Sequence, residues 1–261
     1  MRRHVISSAL VALVATGCFD IEQSINLKKD MSGTADLKMG IDFEPMVKFM
    51  AAMGKGMSGD KSPVTQAEID KAKADFKKQQ AAKKTDPAEK KEDLAKDLPP
   101  GVKLLDASVT EGDLSVTSRF KFEFDHLNRL AGLKMPSKES KDGGPGDKNA
   151  LDQPFEGLEL IEKGETITIR TKPANPAQKV QSDAKEQSPG KADPEMEKMM
   201  RDAFKKMRIV YRITAPFTVV SSNATRKEGD TLVWEYGYDQ LEKMEKTDAK
   251  ADNLVQVVYK K

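Results

Sequence analysis

Hydrophobic and polar residues alternate along several short runs of the chain, and the first run begins directly after Cys18, the single cysteine. A turn sequence, Asp-Met-Ser-Gly at 30–33, separates it from a second alternating run that ends near residue 43. A period of two is typical of a strand with one buried face, and turn residues between two such runs indicate a hairpin. The pattern therefore predicts a β-hairpin that starts at Cys18. Its first strand has apolar residues at Phe19, Ile21, Ile25 and Leu27.

Alternation returns further along the chain and is clearest at 114–124. Five apolar residues share one face of that strand, namely Leu114, Val116, Phe120, Phe122 and Phe124. Lys163-Gly164-Glu165 predicts a tight turn between two short strands at 158–161 and 166–170. Other strands are predicted at 102–109, 209–213, 219–220, 232–236 and 254–259.

Helix signals lie mainly in a charged segment, residues 54–97. It contains two capping boxes, Thr65 with Glu68 and Asp86 with Glu89, and Pro87 follows the second cap. We expect two exposed helices in a solvated insertion, because the segment has too few apolar residues for a core of its own. The alternative is a partner-binding or coiled-coil arm, although no heptad repeat is sustained.

Two further helices are expected outside that segment. A short one is predicted at 126–133, with Gly132 near its end. A longer one opens at Asp193-Pro194, and its apolar residues recur at helical spacing on one face. These residues are Met196, Met199, Met200, Ala203, Phe204 and Met207.

Strand runs joined by hairpins, with a few helices between them, indicate an α+β fold with a mainly antiparallel β-sheet and long charged, partly disordered insertions. Residues 18–53 are expected to form the N-terminal hairpin and a short helix of the folded domain. The charged helical insertion 54–97 interrupts this domain, and 98–261 form its remainder. Flexible loops are expected at 137–150 and 173–193, where glycine, proline and polar residues dominate.

Residues 1–17 have the three parts of a secretion signal: a basic start at Arg2 and Arg3, an apolar run at 5–14 and a small-residue zone before Cys18. The apolar run is shorter than the roughly 20 residues that span a bilayer. The zone resembles the lipobox of bacterial lipoproteins, although Ala15 stands where leucine is usual. We therefore predict cleavage before Cys18 and lipidation of Cys18. A buried N-terminal helix, or ordinary cleavage that releases a protein with a free thiol, is the alternative.

The chain has 44 basic and 42 acidic residues, so removing Arg2 and Arg3 with the signal leaves a charge-balanced protein. A charge-balanced surface does not supply the positive electrostatic potential that attracts nucleic-acid phosphates, so we expect no nucleic-acid partner. His126 is then the remaining imidazole, and one histidine without a free cysteine cannot make a zinc or ordinary copper site. We expect no cofactor and no metal; a copper site of methionine thioethers is a weaker hypothesis.

Two ends of the chain resemble the LppM-like class of bacterial lipoproteins. At the C-terminal side the resemblance runs from Arg208-Ile209-Val210-Tyr211 through Pro216, Val219 and Ser222-Asn223 to 229–234, Gly-Asp-Thr-Leu-Val-Trp. At the start it is the cysteine followed at once by a strand, an Asp-x-Ser-Gly turn and a second strand. The resemblance implies an α+β domain outside the membrane, without established catalytic residues, and a suggested affinity for apolar or lipid-like ligands.

These observations favour a non-enzymatic envelope lipoprotein, anchored by lipid to the cell membrane or outer membrane and facing the periplasm or exterior. The domain is expected to bind a lipid or protein partner or to have a structural role. If it binds an apolar ligand, the candidate contacts are Phe120, Phe122, Phe124, Met196, Met200 and Met207. The competing interpretation is that these residues pack as core.

The second functional hypothesis is a hydrolase that uses carboxylates. Its candidate residues are Glu123, Asp125 and His126, at the end of the clearest strand. Trp234 is expected to anchor the core, and Asn223 to support a turn.

Overall fold

A computed structural model describes residues 18–57, 62–81, 94–135, 153–171, 198, 201–202, 204–246 and 254–261. The predicted signal at 1–17, the capping box at Asp86, the loops at 137–150 and 173–193, and Met196, Met199, Met200 and Ala203 lie outside these residues. The described strands are β1 (Cys18–Leu27), β2 (Gly33–Asp42), β3 (Val102–Glu111), β4 (Ser115–Phe124), β5 (Leu158–Lys163), β6 (Thr166–Thr171), β7 (Arg208–Thr214), β8 (Thr218–Ser222), β9 (Arg226–Glu228), β10 (Thr231–Gly237) and β11 (Val255–Lys260).

Two sheets contain these strands. The larger has seven strands in the order β3-β4-β2-β1-β7-β10-β9, and the smaller has four in the order β5-β6-β11-β8. Neighbouring strands are antiparallel except β1 and β7, which are parallel, with Ile21 beside Ile209 and Ile25 beside Ile213. The helices with described bounds are α1 (Glu44–Met57), α2 (Gln66–Ala81), a 3₁₀ helix (Leu127–Gly132) and α3 (Tyr238–Lys246). Residues 94–96 are also helical, as are residues 198, 201–202 and 204 of the helix predicted to open at Asp193-Pro194. The predicted α+β class with a mainly antiparallel sheet is therefore confirmed.

One hydrophobic core lies between the two sheets. Period-two alternation directs Ile21 and Ile25 of β1 and Trp234 of β10 into it from the larger sheet, while Ile169 and Val257 enter from the smaller sheet. Trp234, Ile169 and Val257 are fully buried. Trp234 thus occupies the core position expected for it, and residues from both sides of the charged segment share this core.

The predicted N-terminal hairpin is formed in one unbroken register, from Cys18 beside Asp42 to Leu27 beside Gly33. A side chain at Gly33 would lie 2.0 Å from the carbonyl oxygen of Asn26, so glycine is required there. Met31 has a positive φ of 65° in the turn, and its side chain is buried. Burial of Met31 offsets the cost of that backbone conformation.

Helices α1 and α2 pack together as a pair and form a second, smaller hydrophobic cluster with the end of the larger sheet. Val47 of α1 and Phe76 of α2 are buried in it, and the Phe43 and Phe76 ring centroids are 5.1 Å apart. The expected capping box is present: Thr65 N donates to Glu68 Oε2 at 2.6 Å, and Glu68 N donates to Thr65 Oγ1 at 3.4 Å. Helix α1 runs across the expected limit of the charged segment at residue 54.

Asn128 of the 3₁₀ helix occupies the free edge of β5. Its Oδ1 accepts from Leu160 N at 2.7 Å, and its Nδ2 donates to Leu160 O at 3.1 Å, as a neighbouring strand would. An unpaired edge is a template for another chain, and this side chain closes it at one residue. Leu160 itself is buried.

Asn128→Ala is expected to lower the free energy of unfolding by about 1 kcal/mol, because two hydrogen bonds to a buried strand position are lost. Urea denaturation followed by tryptophan fluorescence measures the change. Asn128→Asp is the matched variant: its carboxylate keeps the acceptor for Leu160 N but loses the donor to Leu160 O, so an intermediate stability is expected. Equal stability of all three proteins would contradict the assigned role.

Candidate functional site

The end of the larger sheet that carries Cys18 is built from four adjacent strands. Cys18 at the start of β1 pairs with Asp42 at the end of β2, and Asp42 pairs with Ser115 at the start of β4. Glu111, the last residue of β3, pairs with Val116. The predicted lipidation residue therefore lies in a hydrogen-bonded ladder, with no flexible linker between it and the domain.

The α1–α2 pair is attached to this same end. Asp42 Oδ1 accepts from Glu44 N at 2.9 Å, which starts α1 two residues after the partner of Cys18. Phe43 N donates to Leu114 O at 2.8 Å, and Lys77 of α2 forms an ion pair with Asp113 in the β3–β4 turn. Two neighbouring turns of the fold thus hold the helix pair beside Cys18.

Lys55 joins α1 to the start of α2. Its side chain is 8% exposed, and its Nζ lies 3.0 Å from Glu68 Oε1 and donates to Pro63 O at 2.9 Å. Hydrogen bonds from Thr65 N, Lys55 and Thr65 Oγ1 lower the pKa of Glu68. The capping carboxylate is therefore also the counter-ion that fixes the relative position of the two helices.

The candidate apolar-ligand contacts that the structure describes lie in the core. Phe122 and Phe124 are 0% and 1% exposed, Met207 is buried, and Phe120 is half-buried against the same cluster. Met196 and Met200 lie outside the described residues. The three phenylalanines do share one face of β4, as predicted, and that face is packed.

A small cavity lies between the two sheets, lined by Gln23 and Ile25 of β1, Thr171 of β6, Tyr211 of β7 and Val255 of β11 among others. Its volume of about 10 Å³ is the space of about one water molecule, whereas small-molecule sites measure about 300 Å³ or more. Gln23 is buried, and its Nε2 donates to Pro154 O at 2.7 Å. Burial raises the pKa of Tyr211.

Two residues of the hydrolase hypothesis, Asp125 and His126, have local structural contacts, and the third, Glu123, pairs with Thr34 in the larger sheet. His126 caps the 3₁₀ helix, with its Nδ1 accepting from Asn128 N at 3.3 Å. Asp125 follows β4 and lies 3.8 Å from Arg129, one turn further on. Within the described residues no group of three or more His, Cys, Asp or Glu side chains is arranged to hold a metal ion.

The outer face of the larger sheet carries a chain of alternating charges, which we call the charged face. Its members come from β1, β2, β7, β9 and β10, strands far apart in sequence. The consecutive ion pairs are Lys38–Asp20 (3.5 Å), Asp20–Arg208 (3.4 Å), Arg208–Glu235 (2.7 Å), Glu235–Arg226 (2.5 Å), Arg226–Glu228 (2.7 Å), Glu228–Arg212 (2.6 Å) and Arg212–Glu22 (2.8 Å).

Two valines lie on the charged face and are nevertheless fully buried. Val210 lies on β7 between Arg208 and Arg212, on the same face of the strand. Val233 of β10 pairs with Arg212 of β7. The aliphatic stems of arginines can cover such residues while their guanidinium groups stay at the surface. Sequence alternation did not identify this face, because the carboxylate partners of Arg208 and Arg212 on β1 are 188 and 190 residues away.

The charged face is expected to make stability fall in acid. Hydrogen bonds from Arg208 and then Arg226 hold the pKa of Glu235 below its usual value of about 4.5. The stabilisation is therefore complete above that value and is lost as the pH falls through the lower, folded-state pKa. Glu235→Gln should lower the melting temperature at neutral pH by about 2–4 °C and flatten its decline between about pH 5 and pH 3.

Melting curves at several pH values, followed by circular dichroism, test this. Glu165→Gln is the control, since Glu165 lies in the β5–β6 turn and is not a member of the charged face. An unchanged acid decline in Glu235→Gln would show that other carboxylates dominate.

Asn223 connects the two sheets. Its Oδ1 accepts from Trp234 Nε1 of the larger sheet at 2.7 Å and from Gln256 N of the smaller sheet at 2.8 Å. Its Nδ2 donates to Leu254 O at 3.4 Å. The residue expected to support a turn thus also provides the hydrogen-bond partner of the buried indole.

Comparisons with known proteins show a distant likeness to solved structures. No family model matches the sequence, and no curated protein sequence matches it. Among solved structures, the NMR structure of the folded domain of LppM from Mycobacterium tuberculosis is similar in shape, with a TM-score of 0.43 and 12% sequence identity. The match covers 94% of this chain and 91% of that one. No helix among the described residues is long and apolar enough to cross a membrane.

Proposed function

We propose that this chain is a lipid-anchored envelope lipoprotein whose folded domain has a non-enzymatic role, binding a lipid or protein partner or serving a structural purpose. The observation that carries the proposal is that β1 starts at Cys18, the residue that the lipobox-like sequence makes the acylated terminus. Two or three acyl chains on that residue would hold the domain at the bilayer for long times.

The absence of a tether sets the geometry of this anchor. Cys18 pairs with Asp42 from the first residue of the ladder, so acylation would fix the sheet itself to the lipid surface. A domain held in this way faces the periplasm or exterior of the cell envelope. The packed core and the ion-paired charges support a structural or partner-binding surface over an enclosed catalytic cleft.

Mass spectrometry of the protein purified from its native membrane tests the proposal. The expected N-terminal peptide begins at Cys18 and carries a diacylglyceryl group with or without an added acyl chain. A peptide that still contains residues 1–17, or a Cys18 thiol that reacts with a maleimide, would refute the anchor. The same sample is extracted for lipids and proteins that co-purify in stoichiometric amount, which identifies the partner.

A further inference from the structure

We propose that the domain lies on the membrane with the α1–α2 helix pair against the lipid headgroups, so that the opposite end of the larger sheet points away. This orientation rests on the proposed lipid anchor at Cys18. In this orientation the bilayer contacts the helix pair, and the opposite end of the larger sheet is open to other molecules.

Helix α1 starts close to Cys18, the anchor residue. Paired residues of antiparallel strands have Cα atoms about 5 Å apart, and each extended residue adds at most about 3.6 Å. Cys18 pairs with Asp42 and α1 starts at Glu44, so the start of α1 lies within roughly 12 Å of the anchor Cα. Because the start of α1 is so close to the anchor, it stays near the bilayer surface.

Contacts with the larger sheet hold the helix pair in place. Helix α1 is joined to the sheet by the Asp42–Glu44 and Phe43–Leu114 hydrogen bonds. Helix α2 is joined to α1 by the Lys55–Glu68 pair and to the β3–β4 turn by Lys77 and Asp113. The helix pair therefore keeps its place at the anchor end, and its position at the membrane follows from the position of Cys18.

The helix pair has more basic than acidic residues. The two helices contain six lysines and four acidic residues, and their small hydrophobic cluster packs on the sheet end and not outward. Lys71 and Lys78 of α2 are exposed, and such side chains suit anionic headgroups, which attract basic residues close to the membrane surface. The surface fits a negatively charged headgroup layer, without insertion into the hydrocarbon.

The opposite end of the sheet lies one strand length away. Ten residues of β1 extend about 33 Å at about 3.3 Å per residue. The β1–β2 turn, which contains Lys29, is therefore held far above the headgroups, together with the β9–β10 turn at Gly229.

The test uses the acylated full chain in vesicles of phosphatidylethanolamine and phosphatidylglycerol that contain a headgroup nitroxide lipid. A fluorophore is placed on an introduced cysteine in Lys48→Cys, Ala74→Cys or Lys29→Cys, since the native Cys18 is blocked by lipid. All three residues are exposed, and Ala74 lies on α2. Quenching at positions 48 and 74 is expected to exceed quenching at position 29 at least threefold.

Equal quenching at the three positions, or the strongest quenching at position 29, would overturn the orientation while the acyl mass leaves the lipid anchor intact. A protein that lacks the acyl mass and does not float with the vesicles would overturn the anchor and the orientation with it. Vesicles of phosphatidylcholine alone serve as a second arm. Loss of the quenching difference there supports recognition of the anionic headgroups.

Discussion

Cys18→Ser is expected to transfer the protein from the detergent-rich phase to the aqueous phase of a phase-separation extraction, with a change in partition of about a hundredfold or more. A single acyl chain binds membranes only marginally, whereas two or three hold a protein stably, and the serine variant would have none. Each methylene group buried in lipid or detergent contributes about 0.8 kcal/mol to the free energy of binding, so loss of all acyl chains has a large effect on partition.

The design must separate loss of lipid from retention of the signal. An uncleaved signal would itself keep the apolar run at 5–14 attached to the membrane. The variant is therefore expressed behind a signal with an ordinary cleavage site placed directly before residue 18, and the intact mass is checked. The control keeps Cys18 and the native signal. A correctly cleaved Cys18→Ser protein that still enters the detergent phase would show that something other than lipid holds it.

Local patterns predicted the hairpins because their information is local. Alternation and a turn at Lys163-Gly164-Glu165 suffice for β5 and β6, and Gly164 has the positive φ of 59° that the turn requires. Alternation does not say which hairpins share a sheet. The parallel pairing of β1 with β7, and the division into sheets of seven and four strands, depend on contacts between residues nearly 190 positions apart.

The sequence predicted Cys18 of the candidate site but not the charged face. Cys18 follows from a short motif, and its place at the start of β1 follows from the alternation after it. The charged face could not be predicted as a whole, because the pairs of Arg208 and Arg212 with residues of β1 need the sheet order. Helix α3 was not predicted either. Its apolar residues are Tyr238, Leu241 and Met244, of which Tyr238 and Leu241 are buried. Three apolar residues within a helix of nine residues are too short a pattern to detect.

Asn223→Ala is expected to lower the free energy of unfolding by about 2 kcal/mol. The substitution removes the acceptor of Trp234 Nε1 and of Gln256 N, and the indole is fully buried. A donor left without a partner in a core costs more than the hydrogen bond contributed when it was formed. Trp234 is the single tryptophan, so its fluorescence reports both the unfolding transition and the surroundings of the indole.

Ser221→Ala is the matched control, because Ser221 lies two residues before Asn223 and is an exposed residue of β8. Asn223→Asp separates the two functions of the amide: its carboxylate can still accept from Trp234 and Gln256, but it cannot donate to Leu254 O. We therefore expect the order of stability to be wild type, then Asn223→Asp, then Asn223→Ala. If Asn223→Ala were as stable as the Ser221→Ala control, the contact between the sheets would depend on apolar packing alone. The role of Asn223 would then be limited to the turn that the sequence predicts.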